Sequence, residues 1–178
     1  MTLDFDAAIR TLGIRLERSR HGQWIGMDDP GGHTVRQSIT APEGVYLAEW
    51  ASGQRVLEIG TGLGVSTVCL ASTALSVVTI DPDPWVLRSL TLPANVTQRA
   101  SLDGVTGPFD FAFIDGLHDC DSVCRDIEDC LARLTPKGRL AFHDTHHEGV
   151  GVALTRYRWR SRERMRTLGN LTLCERPE

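Results

Sequence analysis

The sequence has no Cys-x-x-Cys pair, and its five cysteines are an odd number. A disulfide framework is therefore a poor reading, and a reducing cytoplasm is the expected setting. No apolar run approaches the roughly 18 residues that a membrane span needs. The opening MTLDFDAAIRTLG carries acids where a signal peptide would have an apolar stretch, so no membrane association is expected. Excess positive charge is also missing: Lys and Arg number 19 against 23 Asp and Glu, a formal net charge of −4. The overall field is thus not expected to draw nucleic acid or an anionic membrane. Internal repeats and low-complexity segments are absent as well. What remains is 178 residues of ordinary globular composition, 41% hydrophobic and 24% charged. That suggests one domain, burying roughly 70% of its unfolded surface.

Periodicity divides this chain. Phe5, Ile9, Leu12 and Leu16 recur at helical spacing, which predicts an amphipathic helix over Asp4–Ser19. HGQWIGMDDPGGHT collects Gly, Pro and Asp and reads as a loop. APEGVYLAEWAS, with Pro42 and Glu43 in its first turn, predicts a short helix. From Arg55 onward the pattern becomes regular: RVLEIG, SVVTID, NVTQRAS, FDFAFID and RLAFHD read as strands. GVSTVCLASTAL, DPWVLRSLTL and DSVCRDIEDCLARL read as the helices between them, the last with Val123, Ile127, Leu131 and Leu134 on one stripe. TPKG reads as a turn, and GVGVALTRYRWRSRERM as a further helix. TLGNLTLCER carries Gly-Asn between apolar runs, a hairpin signal. Strands alternating with helices predict an α/β fold: a Rossmann-like, doubly wound, mostly parallel sheet that ends in an antiparallel hairpin, with an N-terminal helical cap. Residues 1–50 would form the helix, loop and cap, and 51–178 the core, within a single domain.

Gly60, Gly62 and Gly64 follow the first regular strand directly. A glycine-rich turn from strand to helix lets a ligand approach the backbone, and the helix start behind it attracts negative charge. A dinucleotide fingerprint wants Gly-x-Gly-x-x-Gly; here the third glycine comes one place early and position 65 is Val, which disfavours an NAD enzyme. Glu58, inside a buried run, could accept from an ammonium group. Asp81 ends the next strand, about 20 residues on, where an acid can bind both hydroxyls of a ribose. Together Glu58, Gly60–Ser66 and Asp81 resemble the first motif, and its acidic partner, of class I S-adenosylmethionine-dependent methyltransferases.

Two more strands end in acids, Asp115 in FIDGLH and Asp144 in FHDTH. Ligands of open α/β sheets bind at the carboxyl ends of strands, so Asp81, Asp115 and Asp144 are expected on one rim. Residues 109–153 resemble the small O-methyltransferases of the macrocin and novobiocin type and, more distantly, catechol O-methyltransferase. The likeness rests on the strand-end acid, the helix with internal Asp126, the Leu-x-Pro-x-Gly turn, the second acid and the GVGVA that follows. TAPEGVYLAEW also resembles the upstream helix of this group, so the likeness spans residues 38–176.

The resemblance implies S-adenosylmethionine as cofactor, held by Glu58, Gly60, Thr61, Gly62, Gly64, Ser66, Asp81, Ser101 and Asp115. It implies a small hydroxylated acceptor and allows a homodimer. Asp115 and Asp144, with Thr145 as a weaker third ligand, would hold Mg²⁺ or another divalent cation that positions the acceptor. The relatives usually carry Asp or Asn at the place of Thr145, and many carry an acid at that of Leu117, so a metal-independent methyltransferase stays open, as does a non-catalytic S-adenosylmethionine-binding protein. His118 stands where a catalytic base is expected, and an imidazole with an ordinary pKa near ~6.5 can take a hydroxyl proton; bonding a neighbouring loop is its simpler role. The catalytic set is thus His118, Asp115 and Asp144. His143 would brace the strand end, with His146 and His147 largely solvated. A site for iron or zinc built from two histidines and a carboxylate is conceivable. Cys120, Cys124 and Cys130 suit a half-buried helix better than metal capture. The six arginines of RYRWRSRERMR read as a solvated face, with a phosphate-bearing acceptor as the sharper alternative. The Asp/Asn-Pro-Pro-aromatic pattern of methyltransferases acting on nucleic-acid bases is absent, and His143-Asp144-Thr145 stands in its place.

Overall fold

The protein was analysed as a computed structural model, which describes residues 4–18, 23–26, 37–157, 159 and 166–175. Five strands run parallel: β4 (Arg55–Ile59), β5 (Ser76–Ile80), β6 (Val96–Arg99), β7 (Phe109–Ile114) and β8 (Leu134–Phe142). A closing hairpin, β9 (Arg166–Leu168) and β10 (Leu171–Glu175), is antiparallel, with β10 on the free side of β8. The seven-stranded order is β6-β5-β4-β7-β8-β10-β9. The chain builds outward from β4 to β6 and then returns to lay β7 on the other side of β4. That reversal opens a crevice at the carboxyl ends of β4 and β7.

The apolar runs make this sheet because both faces are covered. Val56, Phe111 and Phe113 point to a core shared with Phe5, Leu47 and Val68. Their neighbours Leu57, Ala112 and Ile114 point to a second core with Ile127, Val150 and Ala153. The first face carries α1 (Phe5–Arg10), α2 (Ala41–Ala51) and α3 (Val65–Ala71); the second carries α5 (Cys120–Arg133) and α6 (Glu148–Thr155). A short α4 (Pro84–Ser89) connects β5 to β6. Asp119 caps α5 by accepting from Ser122 N at 2.9 Å, and Val123, Ile127 and Cys130 are its buried stripe.

Four local expectations need correction. The predicted helix over Asp4–Ser19 stops at Arg10. Phe5, Ile9 and Leu12 are buried as the periodicity implies, but Gly13 adopts φ 73, a left-handed conformation that breaks the turn. Beyond it, β1 (Leu16–Arg18), β2 (Gln23–Gly26) and β3 (Gln37–Thr40) form a separate antiparallel sheet, β1 within the expected helix and β2 within the expected loop. A four-residue strand between Gly- and Asp-rich flanks is too short to register as a pattern. TPKG lies within β8: Phe109 faces Leu134, yet Phe111 faces Arg139, so the intervening residues bulge. The last expected helix ends at Thr155; 158 and 160–165, the middle of the arginine-rich run, lie outside the described residues. No helix among the described residues is long and apolar enough to cross a membrane.

Candidate functional site

The crevice at the β4–β7 reversal is a cavity of about 530 Å³. Gly60, Gly62, Asp81 and Asp115 form its strand-end wall. Gly60 has φ 95, and a Cβ there would lie 2.1 Å from the Asp115 carbonyl oxygen. Only a glycine lets β4 and β7 close this tightly at their ends, where Asp115 N donates to Ile59 O at 2.8 Å. Asp81 fixes the turn from the other side: its Oδ2 accepts from Gly62 N and its Oδ1 from Asp83 N, both at 2.9 Å.

Several of the expected cofactor residues face inward instead. Glu58 is fully buried, and its carboxylate accepts from Ser66 Oγ and Thr67 Oγ1 at 2.6 Å each, pinning α3 to β4. Thr61 is buried with its hydroxyl 2.7 Å from Thr79 Oγ1. Gly64 starts α3 as its N-cap. Ser101 is exposed and donates to Asp103 Oδ2; its neighbours Ala100 and Leu102 line the cavity in its place. The remaining wall comes from α5 through Ser122, Arg125 and Asp126. Their i, i+3, i+4 spacing was a readable polar stripe beside that of Val123 and Ile127. Burial, with Asp129 adding, pushes the Asp126 carboxyl up to about 6.

Burial also pushes Glu58 up to about 7, against the hydroxyls of Ser66, Thr67 and Thr79. The native state thus holds this proton more tightly than the unfolded chain. The stability gained is complete below the unfolded carboxyl pKa and is lost as pH climbs through 7. Glu58→Gln should flatten this part of the pH dependence and stabilise the fold near pH 8 by an amount on the order of 3 kcal/mol. Urea unfolding of both proteins from pH 5 to 8 measures it; identical slopes would refute it.

Beyond the cavity wall stands a cluster of carboxylates and imidazoles. Asp144 follows β8 with φ 51, the sole positive-φ residue other than glycine among the described residues. Aspartate tolerates this region, and such strain collects at functional sites. His143 is 4% exposed, and its Nδ1 lies 3.3 Å from both Asp115 Oδ1 and Asp144 Oδ2. His118 Nε2 approaches the same two oxygens at 3.8 and 3.5 Å; that atom is covered and has no hydrogen-bond partner, although the side chain as a whole is 34% exposed. Asp115 and then Asp144 hold His118 above the usual imidazole range despite partial burial. Burial would lower His143, but Asp115, Asp144 and Glu43 together raise it. Burial would raise Asp144, but His143, His118 and His146 bring it below the usual range.

The sequence did not mark Glu43 as part of this cluster. It is 4% exposed; Oε2 accepts from Thr40 N (2.7 Å) and Thr40 Oγ1 (2.9 Å), and Oε1 accepts from Asn170 N at 2.9 Å. His143 Nε2 is 3.7 Å from Oε2. Burial alone would raise Glu43, yet these partners hold it at about 2. The Thr-x-x-Glu capping pattern was visible; its contact with His143 was not. Thr145 Oγ1 accepts from Thr172 Oγ1 at 3.1 Å, and His118 stands beside the two acids as a further donor. One ligand atom each from Asp115, His118 and Asp144 lies within 4.8 Å of the others. His146 and His147 are exposed, as expected, and the His147 ring stands 5.0 Å from that of His118. All five cysteines are free.

Residues 57–145 match a family model described as a methyltransferase domain. Solved structures share the fold. The O-methyltransferase TomG from Streptomyces achromogenes, in complex with SAM, is 22% identical over 79% of this chain and 82% of its own, with a TM-score of 0.62. An O-methyltransferase from Bacillus cereus, in complex with SAH, is 18% identical over 78% and 83%, TM-score 0.57. The N-methyltransferase NodS from Bradyrhizobium japonicum is 20% identical over 77% and 94%, TM-score 0.57. No curated protein matches the sequence.

Proposed function

Because the chain belongs to the methyltransferase-domain family, we propose that it carries a methyl group from S-adenosylmethionine to a hydroxyl oxygen of a small molecule. The observation that carries this reading is the double position of Asp115. It lines the cavity and also stands in the acid–histidine cluster, so a cofactor in one and an acceptor beside the other would meet there. The cavity suits the cofactor: bare backbone at Gly60 and Gly62 admits close approach, Asp81 would take the ribose hydroxyls, and the α5 wall would border the base. The cofactor supplies a reactive methyl on sulfonium, leaving the protein to align groups and remove a proton. His118 would take the hydroxyl proton as the oxygen attacks the methyl carbon and the carbon–sulfur bond breaks. An oxygen acceptor is favoured because a hydroxyl needs such a base, whereas a neutral amine does not.

Asp81→Ala should weaken S-adenosylmethionine binding by ~1.5–3 kcal/mol, the worth of a charged hydrogen bond. Calorimetry reads it directly. Unchanged affinity, or preference for NAD, would sink the cofactor assignment.

The converging oxygens of Asp115 and Asp144, with His118 beside them, fit a divalent cation, which would orient and acidify the acceptor hydroxyl. A specific observation supports the metal-independent alternative: the His143 ring already sets positive charge 3.3 Å from both carboxylates. Exhaustive chelation followed by Mg²⁺, Mn²⁺ or Ca²⁺ add-back decides between them. Activity is expected to fall and return with Mg²⁺, and Asp144→Asn to lose turnover while still binding cofactor. Full activity in chelator, together with an active Asp144→Asn enzyme, would establish the metal-independent route. Binding of cofactor without turnover on any hydroxylated acceptor would favour a non-catalytic binding protein.

A further inference from the structure

The acid–histidine cluster differs from an oxygen-only cation cradle in its third donor. Two imidazoles approach Asp115 Oδ1 and Asp144 Oδ2: the buried His143 through Nδ1 at 3.3 Å from each, and the half-buried His118 through Nε2 at 3.8 and 3.5 Å. The His118 nitrogen is buried without a hydrogen-bond partner. A buried polar atom left unpaired is costly, and this one is aimed at two anionic oxygens. Donors on one tetrahedral ion, with bonds of about 2.1 Å, stand about 3.4 Å apart. His118 Nε2 is already 3.8 and 3.5 Å from the two oxygens, and the whole set lies within 4.8 Å, so closing around an ion takes a movement of about 1 Å or less.

Mg²⁺ and Ca²⁺ take oxygen ligands and retain water. Imidazole suits zinc, cobalt, nickel and iron instead. We propose that Asp115, Asp144 and His118 Nε2 capture a borderline first-row divalent ion, Zn²⁺ above all, and that this capture inhibits methyl transfer where Mg²⁺ supports it. The inhibition rests on the reading of His118 as the base: the lone pair that accepts the acceptor's proton is the one that binds Zn²⁺. Mg²⁺ on the carboxylates leaves that lone pair free. Other charged groups face the cluster. Charge on His143 opposes a cation, while Glu43, 3.7 Å behind its Nε2, offsets that charge. His146 Nδ1 is 3.9 Å from Asp144 Oδ1, so an exposed imidazole is available as a fourth donor.

The test is Zn²⁺ binding to metal-stripped protein, without cofactor or acceptor, by competition with a chromophoric chelator. Cys120 and Cys124 are partly exposed thiols one turn apart on α5, so the double Cys120→Ser/Cys124→Ser protein is the background. One Zn²⁺ per chain is expected. Co²⁺ should give visible absorption without a thiolate charge-transfer band. His118→Gln should lower Zn²⁺ affinity at least tenfold and still bind S-adenosylhomocysteine, which establishes its fold; His118→Asn serves the same comparison if Gln disturbs it. Zn²⁺ should inhibit the unmodified protein reversibly, with activity restored by chelator and excess Mg²⁺. Absence of stoichiometric Zn²⁺ binding, or equal affinity in the His118 variants, overturns the site. If turnover depends on His118 but Zn²⁺ does not bind, the inference falls and the O-methyl-transfer reading stands. If Zn²⁺ binds through His118 while the His118 variants turn over normally, the base assignment and the inhibition fall together and the metal site remains.

Discussion

Replacing His118 with alanine should lower kcat by roughly 10²–10⁴ and leave S-adenosylmethionine affinity near that of the unaltered protein. The separation follows from position. His118 reaches the two acids at 3.8 and 3.5 Å, and it does not line the cavity to which Gly62 and Asp81 belong. Its pKa is raised by Asp115 first and Asp144 next, so the free enzyme keeps the imidazole protonated past the ordinary histidine range. The rate should therefore rise with pH through an apparent pKa above ~6.5, and the alanine variant should lose that limb. The same shift has a sign for stability. The charged imidazole stabilises the native state fully below the unfolded histidine pKa, and the contribution disappears as pH rises through the folded value. His118→Ala should accordingly cost more stability at pH 6 than at pH 9. A variant whose pH–rate profile matches that of the unaltered protein would leave His118 a structural residue.

Gly60→Ala should be the most damaging single methyl. At φ 95 the conformation alone costs an alanine about 1–3 kcal/mol. The added Cβ would also fall 2.1 Å from the Asp115 carbonyl oxygen and 2.6 Å from its carbon. Those atoms are backbone, so relief requires parting β4 from β7 where both the cavity wall and Asp115 are set. Loss of measurable cofactor binding is expected, with turnover abolished and the thermal midpoint lowered. Gly53→Ala is the control: it also has positive φ, yet nothing lies within 4 Å of its Cβ position, so strain without collision should spare binding. Equal effects of the two substitutions would show that the close approach to Asp115 carries no weight.

The contrast explains what was legible in the sequence. Parallel strands advertise themselves because burial on both faces demands continuous apolar runs, and RVLEI and FDFAFI supplied them. Strand-end acids were readable for the same reason: Asp81, Asp115 and Asp144 interrupt such runs abruptly. Convergence in space was not readable. Glu43 lies 100 positions before His143 and 127 before Asn170, and no local pattern links them. Thr145 shows a partner that was equally unreadable: its place in the chain suited a ligand, and its hydroxyl accepts from Thr172 on a strand that arrives later. The inward turn of Thr61 and Ser66 is similar: a hydroxyl near a glycine turn can face a ligand or the core, and Thr79 and Glu58 decided it.

Gly149 packs the first turn of α6 against the loop holding His118; a Cβ there would meet the His118 carbonyl oxygen at 2.1 Å. On the opposite side, Glu43 waits for Asn170. Read in the order of synthesis, these contacts set a timetable. A ribosome adding about 5–20 residues per second exposes β4 and β7 early, yet β8 stays an open edge until β10 emerges to pair with Phe142 and Ala141. Glu43, already made, lacks its Asn170 partner until the same moment. The nascent chain can thus complete the glycine turn before Glu43 has its partner and before the edge of β8 is covered.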